Sequence, residues 1–138
     1  LCLYGHELSP DIDPVQAGLV WSISKVRRAD GARAGGFPGA DVIFGLMERG
    51  SALRRVGLRG DGKRPMREGQ PVLDGAGREV GSVCSAGYGA TVGGPIAMAF
   101  VERDSAQPGT SLNVSVRDKL VPATVTALPF TPRSYYRG

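Results

Sequence analysis

Histidine and cysteine are scarce in this chain, and their scarcity excludes a structural zinc site. There is one histidine among 138 residues, and the two cysteines, Cys2 and Cys84, lie far apart in the sequence. A structural zinc site needs about four nitrogen or sulfur ligands at close spacing, which this chain does not offer. We expect both thiols to be small buried side chains of an intracellular protein, with a disulfide as the alternative.

Long apolar runs and a secretion signal are also missing. The longest apolar run, "PIAMAFV", has the length of a buried strand and falls far below the roughly 18–20 residues that span a bilayer. No basic stretch followed by an apolar stretch opens the chain, so no secretory leader is expected. The opening "LCLYGHELSPDIDP" has no initiator methionine, and we therefore expect Leu1 to be an internal residue of a longer protein.

Glycine and proline, by contrast, are abundant, with 21 and 10 residues, which favours short strands and turns over a helical bundle. Near the start, Asp13 precedes Pro14 as a helix cap and first helical residue, and Gly18 ends that short helix. "LVWSIS", residues 19–24, alternates in hydrophobicity and predicts a strand. The stretch "KVRRADGARAGG", residues 25–36, is basic and then Gly- and Ala-rich, and it is the best linker or loop candidate.

The remainder of the chain predicts one helix followed by about six strands. The helix is expected to begin at Pro38 and end at Gly50, with one apolar stripe facing a core. Asp74–Gly75 and the region of Asp118 are expected to form turns between apolar runs. A mainly β fold follows, either a small antiparallel barrel or a sandwich.

The net charge is +4, which suits an anionic partner without identifying one. The basic residues form two clusters: Lys25, Arg27, Arg28 and Arg33, and then Arg54, Arg55, Arg59, Lys63, Arg64 and Arg67. Neither cluster contains an aromatic residue on which a base could stack, which disfavours nucleic acid. A solvated surface, or docking of an acidic partner, is favoured instead.

Two glycine-rich stretches invite a nucleotide-binding interpretation that their details contradict. "GLRGDGKR" has the glycine and lysine spacing of a phosphate loop, but Arg64 replaces the required Ser or Thr and Pro65 follows instead of a helix. "GYGATVGG" lacks the dinucleotide-binding spacing and predicts a loop between two strands. The sequon at Asn113 lies within a predicted strand and is expected to carry no glycan.

Two further groups of residues have both a chemical and a structural interpretation. His6 lies near Glu7, Asp11 and Asp13, which could form a metal site or an acid–base pair, but turn-capping carboxylates and a surface or packing histidine are favoured. The tail "RSYYRG" is either a disordered end or a clamp in which tyrosine rings cover an aromatic ligand and arginines meet a carboxylate.

Six segments follow one another in an informative order: "LCLYGHEL", "DPVQAGLVWSISKVRR", "FPGADVI", "RRVGLRGDGKRPMREGQPVLDGAGREVGSVCSAGY", "IAMAFV" and "PGTSLNVSVRDKLVPATVTALPFTPRSYY". Their order and spacing resemble the C-terminal part of the aminomethyltransferase, or T-protein, family of the glycine cleavage system. The resemblance covers essentially the whole chain. It implies that residues 1–34 are the tail end of a central folate-binding domain, with α+β character, and that residues 35–138 form a C-terminal jelly-roll-like β-barrel domain.

The resemblance also implies a function for the full-length protein. Members of this family transfer the aminomethyl group carried by the lipoylated H-protein to tetrahydrofolate and release ammonia. The family's catalytic Asp has no counterpart here, so no catalytic residue is assigned and the chain alone is expected to be inactive. Tyr135, the first of the terminal tyrosine pair, is the one folate- or substrate-binding position carried over. Arg27–Arg28 match a family run of arginines, for which anchoring of the domain junction is the favoured role.

Tetrahydrofolate and the H-protein are thus the implied substrate and partner, with no metal, nucleic acid or membrane. A bacterial cytoplasm is the preferred location, and the mitochondrial matrix is the alternative for a eukaryotic source. Two other interpretations stay open: the C-terminal module of a related folate-dependent protein, such as a dimethylglycine- or sarcosine-type demethylating enzyme, and a stand-alone barrel that binds RNA or a protein. The stretch at residues 29–36 and the "AGYGATVGG" loop differ from the sequences that are usual in the family at these places.

Overall fold

The chain forms a closed six-stranded antiparallel barrel preceded by one helix. A computed structural model describes residues 2–117 and 119–132. The elements are the helix α1 (Ala40–Arg49) and the strands β1 (Leu53–Gly60), β2 (Pro71–Leu73), β3 (Glu79–Gly89), β4 (Gly94–Glu102), β5 (Ser111–Val116) and β6 (Lys119–Thr126). Around the barrel the strand order is β1-β4-β3-β2-β5-β6, and β6 pairs with β1 to close it. The predicted mainly β class, with six strands after one helix, is confirmed.

The barrel interior is filled by small apolar side chains from alternate positions of the strands. Leu58 of β1 is fully buried and lies between Ala97 of β4 and Val125 of β6. Valine and alanine supply most of the remaining core. Because a barrel of so few strands is narrow, short and branched side chains fill it without leaving room for a ligand. Any site on this domain must therefore lie on its outer surface.

Two strands of the barrel approach each other unusually closely. A Cβ atom added at Gly81 of β3 would overlap the carbonyl oxygen of Phe100 in β4. Glycine is therefore required at this position for the strands to pair. Further along the same pair of strands, the register shifts between Val83 and Ser85, so that Cys84 is the extra residue of a β-bulge. The bulge matters for the outer surface because it changes which face the following residue occupies.

The predicted helix and its end are confirmed, with Gly50 as the C-terminal cap, but the helix begins at Ala40, after the N-cap Gly39, and not at Pro38. Gly50 has a positive φ of 84° and its N–H donates to the carbonyl oxygen of Leu46. The apolar stripe is only half-buried, and Val42 is exposed, so the helix is not a core element. No helix in the described ranges is both long enough and apolar enough to cross a membrane.

The strand predicted for residues 19–24 is wrong. Two short 3-10 helices, Val20–Ser22 and Lys25–Arg27, occupy this region. The hydroxyl of Ser22 donates to a backbone carbonyl three residues earlier, and the guanidinium group of Arg28 donates to the carbonyl oxygens of Val20 and Ile23. These local hydrogen bonds satisfy carbonyl groups that a strand would have paired with a neighbour, and they override the alternating pattern.

Other predictions for the first forty residues need smaller corrections. The short helix expected after Asp13 is a single hydrogen-bonded turn, in which Asp13 Oδ1 accepts from the N–H groups of Val15 and Gln16 at 2.8 and 2.9 Å. The linker candidate folds back on itself, because the N–H of Gly35 donates to the carbonyl oxygen of Arg27. The guanidinium group of Arg27 donates to the carbonyl oxygen of Gly35 in turn.

The predictions for glycine-rich stretches and turns in the barrel are largely confirmed. The stretch resembling a phosphate loop is the end of β1 and the turn after it. The turn at Asp74 joins β2 to β3, and its Oδ1 accepts from the N–H groups of Ala76 and Arg78. The "GYGATVGG" stretch is only partly a loop, since Gly87–Gly89 continue β3 and residues 90–93 form the turn.

Candidate functional site

A cleft of about 840 Å³ lies on the outer face of β1, β3 and β4. Three parts of the chain line it: the strands, the segment before the helix, and the segment after β6. Its lining residues are Cys2, Leu8, Leu19, Trp21, Arg55, Ser85, Ala86, Gly87, Tyr88, Ile96, Ala97, Met98, Leu128, Pro129 and Phe130. We call this the outer cleft.

Two aromatic side chains of the outer cleft are exposed. Trp21 is the single tryptophan of the chain and is 75% exposed, and Tyr88 is 63% exposed. Large aromatic residues at such exposure are uncommon on a soluble surface unless they bind something. Their ring faces are suited to a planar ligand.

The segment after β6 crosses the barrel at a glycine. A Cβ atom added at Gly57 of β1 would lie 2.9 Å from Cε1 of Phe130 and 3.0 Å from Cδ2 of Leu128. Glycine therefore makes room for these two side chains to pack on the outer surface. This packing places the C-terminal segment along one side of the outer cleft.

Arg55 joins the N-terminal segment to the barrel and is the one cation among the described residues that line the outer cleft. Its Nε donates to the carbonyl oxygen of Ala17 at 2.8 Å, and its backbone N–H donates to the carbonyl oxygen of Gln16 at 2.8 Å. Nη1 lies 3.4 Å from the sulfur of Met98. The rest of the guanidinium group can face a ligand carboxylate or carbonyl.

Beside the outer cleft lies a buried carboxylate that the sequence did not predict. Glu7 is fully buried, and its Oε2 accepts from the N–H of Leu3 at 2.8 Å. Its Oε1 accepts no hydrogen bond of good geometry from the described residues, although the Ser85 hydroxyl and the Cys84 thiol lie next to the carboxylate. A buried carboxylate needs such donors to remain charged.

The ionisation of this group follows from its neighbours. Burial acts to raise the pKa of Glu7, but the nearby Ser85 hydroxyl, the hydrogen bond from the Leu3 N–H, the nearby Cys84 thiol and His6 together leave the pKa below its usual value. Burial, reinforced by hydrogen bonding and repulsion from Glu7, raises the pKa of the Cys84 thiol to about 12. At neutral pH the carboxyl group is therefore ionised and the thiol is protonated.

The residues around His6 do not converge on one site. His6 Nδ1 lies 3.0 Å from Glu68 Oε1, while Glu7 is buried beneath β3 and Asp13 caps a turn. Across residues 2–117 and 119–132, no group of three or more His, Cys, Asp or Glu side chains is placed to hold a metal ion. The turn-capping interpretation of Asp13 is confirmed. Cys84 is buried as expected, whereas Cys2 is half-buried, and both thiols are free.

A second, smaller cleft of about 360 Å³ is strongly basic. Its lining residues are Arg64, Pro65, Arg67, Gln70, Val116, Arg117 and Lys119. Two of its four described cations, Arg117 just after β5 and Lys119 at the start of β6, were not part of either predicted cluster. The other basic residues have different roles, since Arg59 donates to the carbonyl oxygen of Val92. We call this the basic cleft.

The sequence analysis predicted only some of the residues that line the outer cleft and the basic cleft. Arg55, Arg64 and Arg67 were in one predicted cluster, but the structure divides them between two clefts. The site residue Tyr135 lies outside the described residues. Trp21 was assigned to a strand face, and Ser85 was not singled out at all, because a β-bulge cannot be seen in the alternation of a single sequence.

Comparison with known proteins identifies this arrangement. Residues 54–131 match the family "Glycine cleavage T-protein C-terminal barrel domain", which covers more than half of the chain. The chain belongs to this family. The resemblance stated from the sequence is confirmed, and β1 to β6 with the segment through residue 131 are the T-protein C-terminal barrel.

Relatives of the T-protein barrel extend the match to nearly the whole chain. The mitochondrial aminomethyltransferases of Flaveria anomala and Dictyostelium discoideum are 41% and 42% identical over 99% and 98% of the chain. These alignments cover 32% and 33% of the two relatives. The crystal structure of the glycine cleavage system aminomethyltransferase T of Bartonella henselae matches 99% of this chain and 37% of its own, with 33% identity and a TM-score of 0.88. The chain thus spans about a third of the length of the curated relatives it matches.

Proposed function

We propose that this chain is the C-terminal barrel module of a tetrahydrofolate-dependent aminomethyltransferase of the glycine cleavage system. The observation that carries the proposal is the combination of family membership with relatives named aminomethyltransferase across nearly all of the chain. The whole enzyme would transfer an aminomethyl group from the lipoyl arm of the H-protein to tetrahydrofolate. The products would be methylenetetrahydrofolate, ammonia and the reduced lipoyl protein.

The barrel module has a supporting role in this reaction. Among the residues that the structure describes, no Asp or Glu lines either cleft, so this part of the chain offers no carboxylate there for acid–base chemistry. The catalytic Asp of the family is expected in the part of the enzyme that this chain does not match. We therefore expect the 138-residue chain alone to be inactive, and residues 1–34 to belong to the preceding folate-binding domain.

We assign the surface of the outer cleft as one wall of the folate cavity. Trp21 and Tyr88 offer exposed ring faces to a planar heteroaromatic group, and Arg55 offers a cation to a carbonyl or carboxylate group. Tyr135 follows Phe130 by five residues, and Phe130 lines the cleft. We assign Tyr135 to the same cavity because the family resemblance carries this position over.

The basic cleft supports the assignment of an acidic protein partner. Arg64, Arg67, Arg117 and Lys119 line it, and none of its described lining residues is acidic, so these cations attract anionic groups. None of the described lining residues is aromatic either, which disfavours single-stranded nucleic acid. In the proposed enzyme, the partner that meets this surface is the H-protein.

A chimeric enzyme tests the proposed function. This chain replaces the matching C-terminal part of the Bartonella henselae aminomethyltransferase, and methylenetetrahydrofolate formation is measured with aminomethylated H-protein and tetrahydrofolate. We expect activity from the chimera and none from the 138-residue chain alone. A chimera that folds but forms no product would contradict the proposal, and turnover by the chain alone would contradict the supporting role of the barrel.

The same chimera tests Tyr135. Tyr135→Ala is expected to raise the KM for tetrahydrofolate by roughly tenfold, the effect of losing one good hydrogen-bonding and packing contact. Removal of Arg137 and Gly138 is the control and should change KM much less. Equal kinetics for the Tyr135 variant and the unmodified chimera would remove Tyr135 from the binding site.

The cellular compartment follows the source of the protein. The matched relatives named above are mitochondrial in a plant and an amoeba, and the solved structure is from a bacterium. These names do not favour the bacterial cytoplasm over the mitochondrial matrix. Both stay as predictions, to be checked by the location of the tagged full-length protein in its own cells.

A further inference from the structure

The loop between β1 and β2, residues 61–70, supplies two of the four described cations of the basic cleft. Arg64 and Arg67 of this loop line the cleft, whereas Asp61 and Glu68 of the same loop do not. Acidic and basic side chains lie close together in the sequence of the loop, so its conformation decides which charges face a partner. We call residues 61–70 the β1–β2 loop.

One apolar side chain anchors the β1–β2 loop to the barrel. Met66 lies between the two arginines and is 2% exposed, and it is the one buried residue of the loop. It belongs to the hydrophobic core of the barrel. A Cβ atom added at Gly60, the last residue of β1, would lie 3.2 Å from Cε of Met66 and 3.2 Å from Cγ of Pro95. The methionine therefore packs against the end of the strand from which the loop leaves.

Hydrogen bonds fix the two ends of the loop but not its middle. The first N–H of the loop donates to the carbonyl oxygen of Pro122 at 2.8 Å. Near the other end, the N–H of Gly69 donates to the carbonyl oxygen of Val83 at 2.8 Å. Among the described residues, no hydrogen bond of the main chain or the side chains involves residues 62–66. Burial of the methionine is thus the interaction that holds this part of the loop in place.

The anchored conformation separates the charges of the loop. Oε1 of Glu68 lies 3.0 Å from Nδ1 of His6 in the N-terminal segment, so this carboxylate is directed away from the basic cleft. The two arginines line the cleft instead. A loop released from its anchor would lose this arrangement, because the exposed arginines and the carboxylate would sample many positions relative to the cleft.

We propose that Met66 is a positioning residue for the acidic partner of the basic cleft. Its buried side chain holds the β1–β2 loop so that Arg64 and Arg67 are already in place when the partner arrives, which reduces the entropy lost on binding. The proposal rests on the proposed function only for the identity of the partner, the H-protein. It adds an uncharged residue, away from the partner, that controls electrostatic docking.

Binding of two acidic probes tests this role. Labelled lipoylated H-protein and labelled poly-L-glutamate are titrated with the 138-residue chain, and fluorescence anisotropy is measured at several salt concentrations. The variants are Met66→Ala, Met66→Leu and Val101→Ala. Val101 is the matched control, because it is a fully buried core residue that pairs with Arg54, near the opposite end of β1 from the loop. Thermal unfolding is measured in parallel, and binding is compared at a temperature where every variant is folded.

We expect Met66→Ala to raise the dissociation constant of both probes by roughly three- to tenfold, the effect of having to order one or two side chains on binding. It should also make the affinity less dependent on salt, because fewer cations act on the probe together. Met66→Leu keeps most of the apolar volume and should bind within about twofold of the unmodified chain, as should Val101→Ala. Equal affinities and equal salt dependence for Met66→Ala and Val101→Ala would overturn the proposal.

A double-mutant comparison separates positioning from a general loss of stability. In a chain that carries both Arg64→Ala and Arg67→Ala, the further change Met66→Ala should leave the dissociation constant unchanged, because the groups that the methionine positions are gone. An equal loss of affinity in both backgrounds would show that Met66 acts on binding without the two arginines, and would overturn its positioning role.

The outcomes distinguish this proposal from the proposed function. If poly-L-glutamate binds with the expected dependence on Met66 but the H-protein does not bind, the positioning role stands and the H-protein is not the partner of the basic cleft. If neither probe binds the unmodified chain at low salt, the positioning role is overturned, whereas an active chimera would still support the aminomethyltransferase. If the chimera is inactive but the binding pattern holds, the positioning role stands and the proposed enzyme function is contradicted.

Discussion

Removing the guanidinium group of Arg55 should destabilise the protein by detaching the N-terminal segment from the barrel. In Arg55→Ala the carbonyl oxygen of Ala17, a fully buried residue, loses its donor at 2.8 Å. A hydrogen bond from a charged group contributes about 1.5–3 kcal/mol, and we take about 1–2 kcal/mol because Arg55 is half-buried. For a chain of this length each kcal/mol lowers Tm by roughly 3–4 °C, so a decrease of about 3–8 °C is expected.

Thermal unfolding followed by circular dichroism measures this shift. Arg54→Ala is the matched control, because Arg54 precedes Arg55 on the same strand and is exposed. Arg55→Lys should recover little of the lost stability, since the single ammonium group of lysine cannot replace the two donors Nε and Nη1 of arginine. If Arg55→Ala and Arg54→Ala unfold at the same temperature, the contact with Ala17 does not hold the two parts together and the reasoning fails.

Three further changes test the core, the buried carboxylate and the close strand pair. Leu58→Ala should lower the free energy of unfolding in urea by about 2–5 kcal/mol, whereas Leu120→Ala, at an exposed position, should change it by less than about 0.5 kcal/mol. The pKa of Glu7 in the folded protein is below its usual value of 4.5, so the stabilising effect of its ionised form is present above about pH 4.5 and is lost as the pH falls further. Glu7→Gln should therefore flatten the dependence of the unfolding free energy on pH in that range. Identical pH profiles for the variant and the unmodified chain would show no such linkage. Gly81→Ala should prevent folding, because its Cβ would overlap a backbone carbonyl of β4, whereas the added Cβ of Gly75→Ala meets nothing within 4 Å and this variant should fold. If both variants are soluble and unfold cooperatively, β3 and β4 do not approach each other as closely as described.

The barrel was predictable because local signals agreed with the tertiary structure. Alternating apolar residues in β1 and β5, with turns at Asp74 and before Lys119, are sufficient to place the strands. Sheet closure was only one of two alternatives, because the pairing of β6 with β1 joins residues distant in sequence. Turn chemistry is local, whereas the choice between barrel and sandwich depends on contacts that a single sequence does not display.

The strand prediction in the region before the helix was wrong because two kinds of local signal competed. Residues 19–24 alternate as a strand does, but Ser22 and Arg28 supply hydrogen bonds to nearby carbonyl groups. An arginine that folds back over five to eight residues leaves no periodic trace in the sequence. The exposed position of Trp21 in the structure agrees with the absence of a strand here, because a tryptophan in a paired strand would normally be covered.

The site was harder to predict than the fold because it is assembled from distant stretches. The outer cleft combines residues near positions 2–21, 55, 85–98 and 128–130, and Ser85 faces it only because of the bulge. The basic cleft likewise joins Arg64 and Arg67 to Arg117, just after β5, and Lys119, at the start of β6. Charge composition revealed the cations but not their grouping.

A filled barrel interior determines where this domain can act. The side chains that point inward pack against one another and are almost completely buried, so the interior offers no cavity for a ligand. Function must then use the outer face, where Gly57 and the bulge at Cys84 let the two end segments cross the strands and leave a cleft between them. Trp21 and Tyr88 keep this cleft apolar while it stays open on one side. An open apolar cleft is stable as part of a site only if another surface covers it, and in the proposed enzyme the ligand and the remaining two thirds of the polypeptide provide that cover.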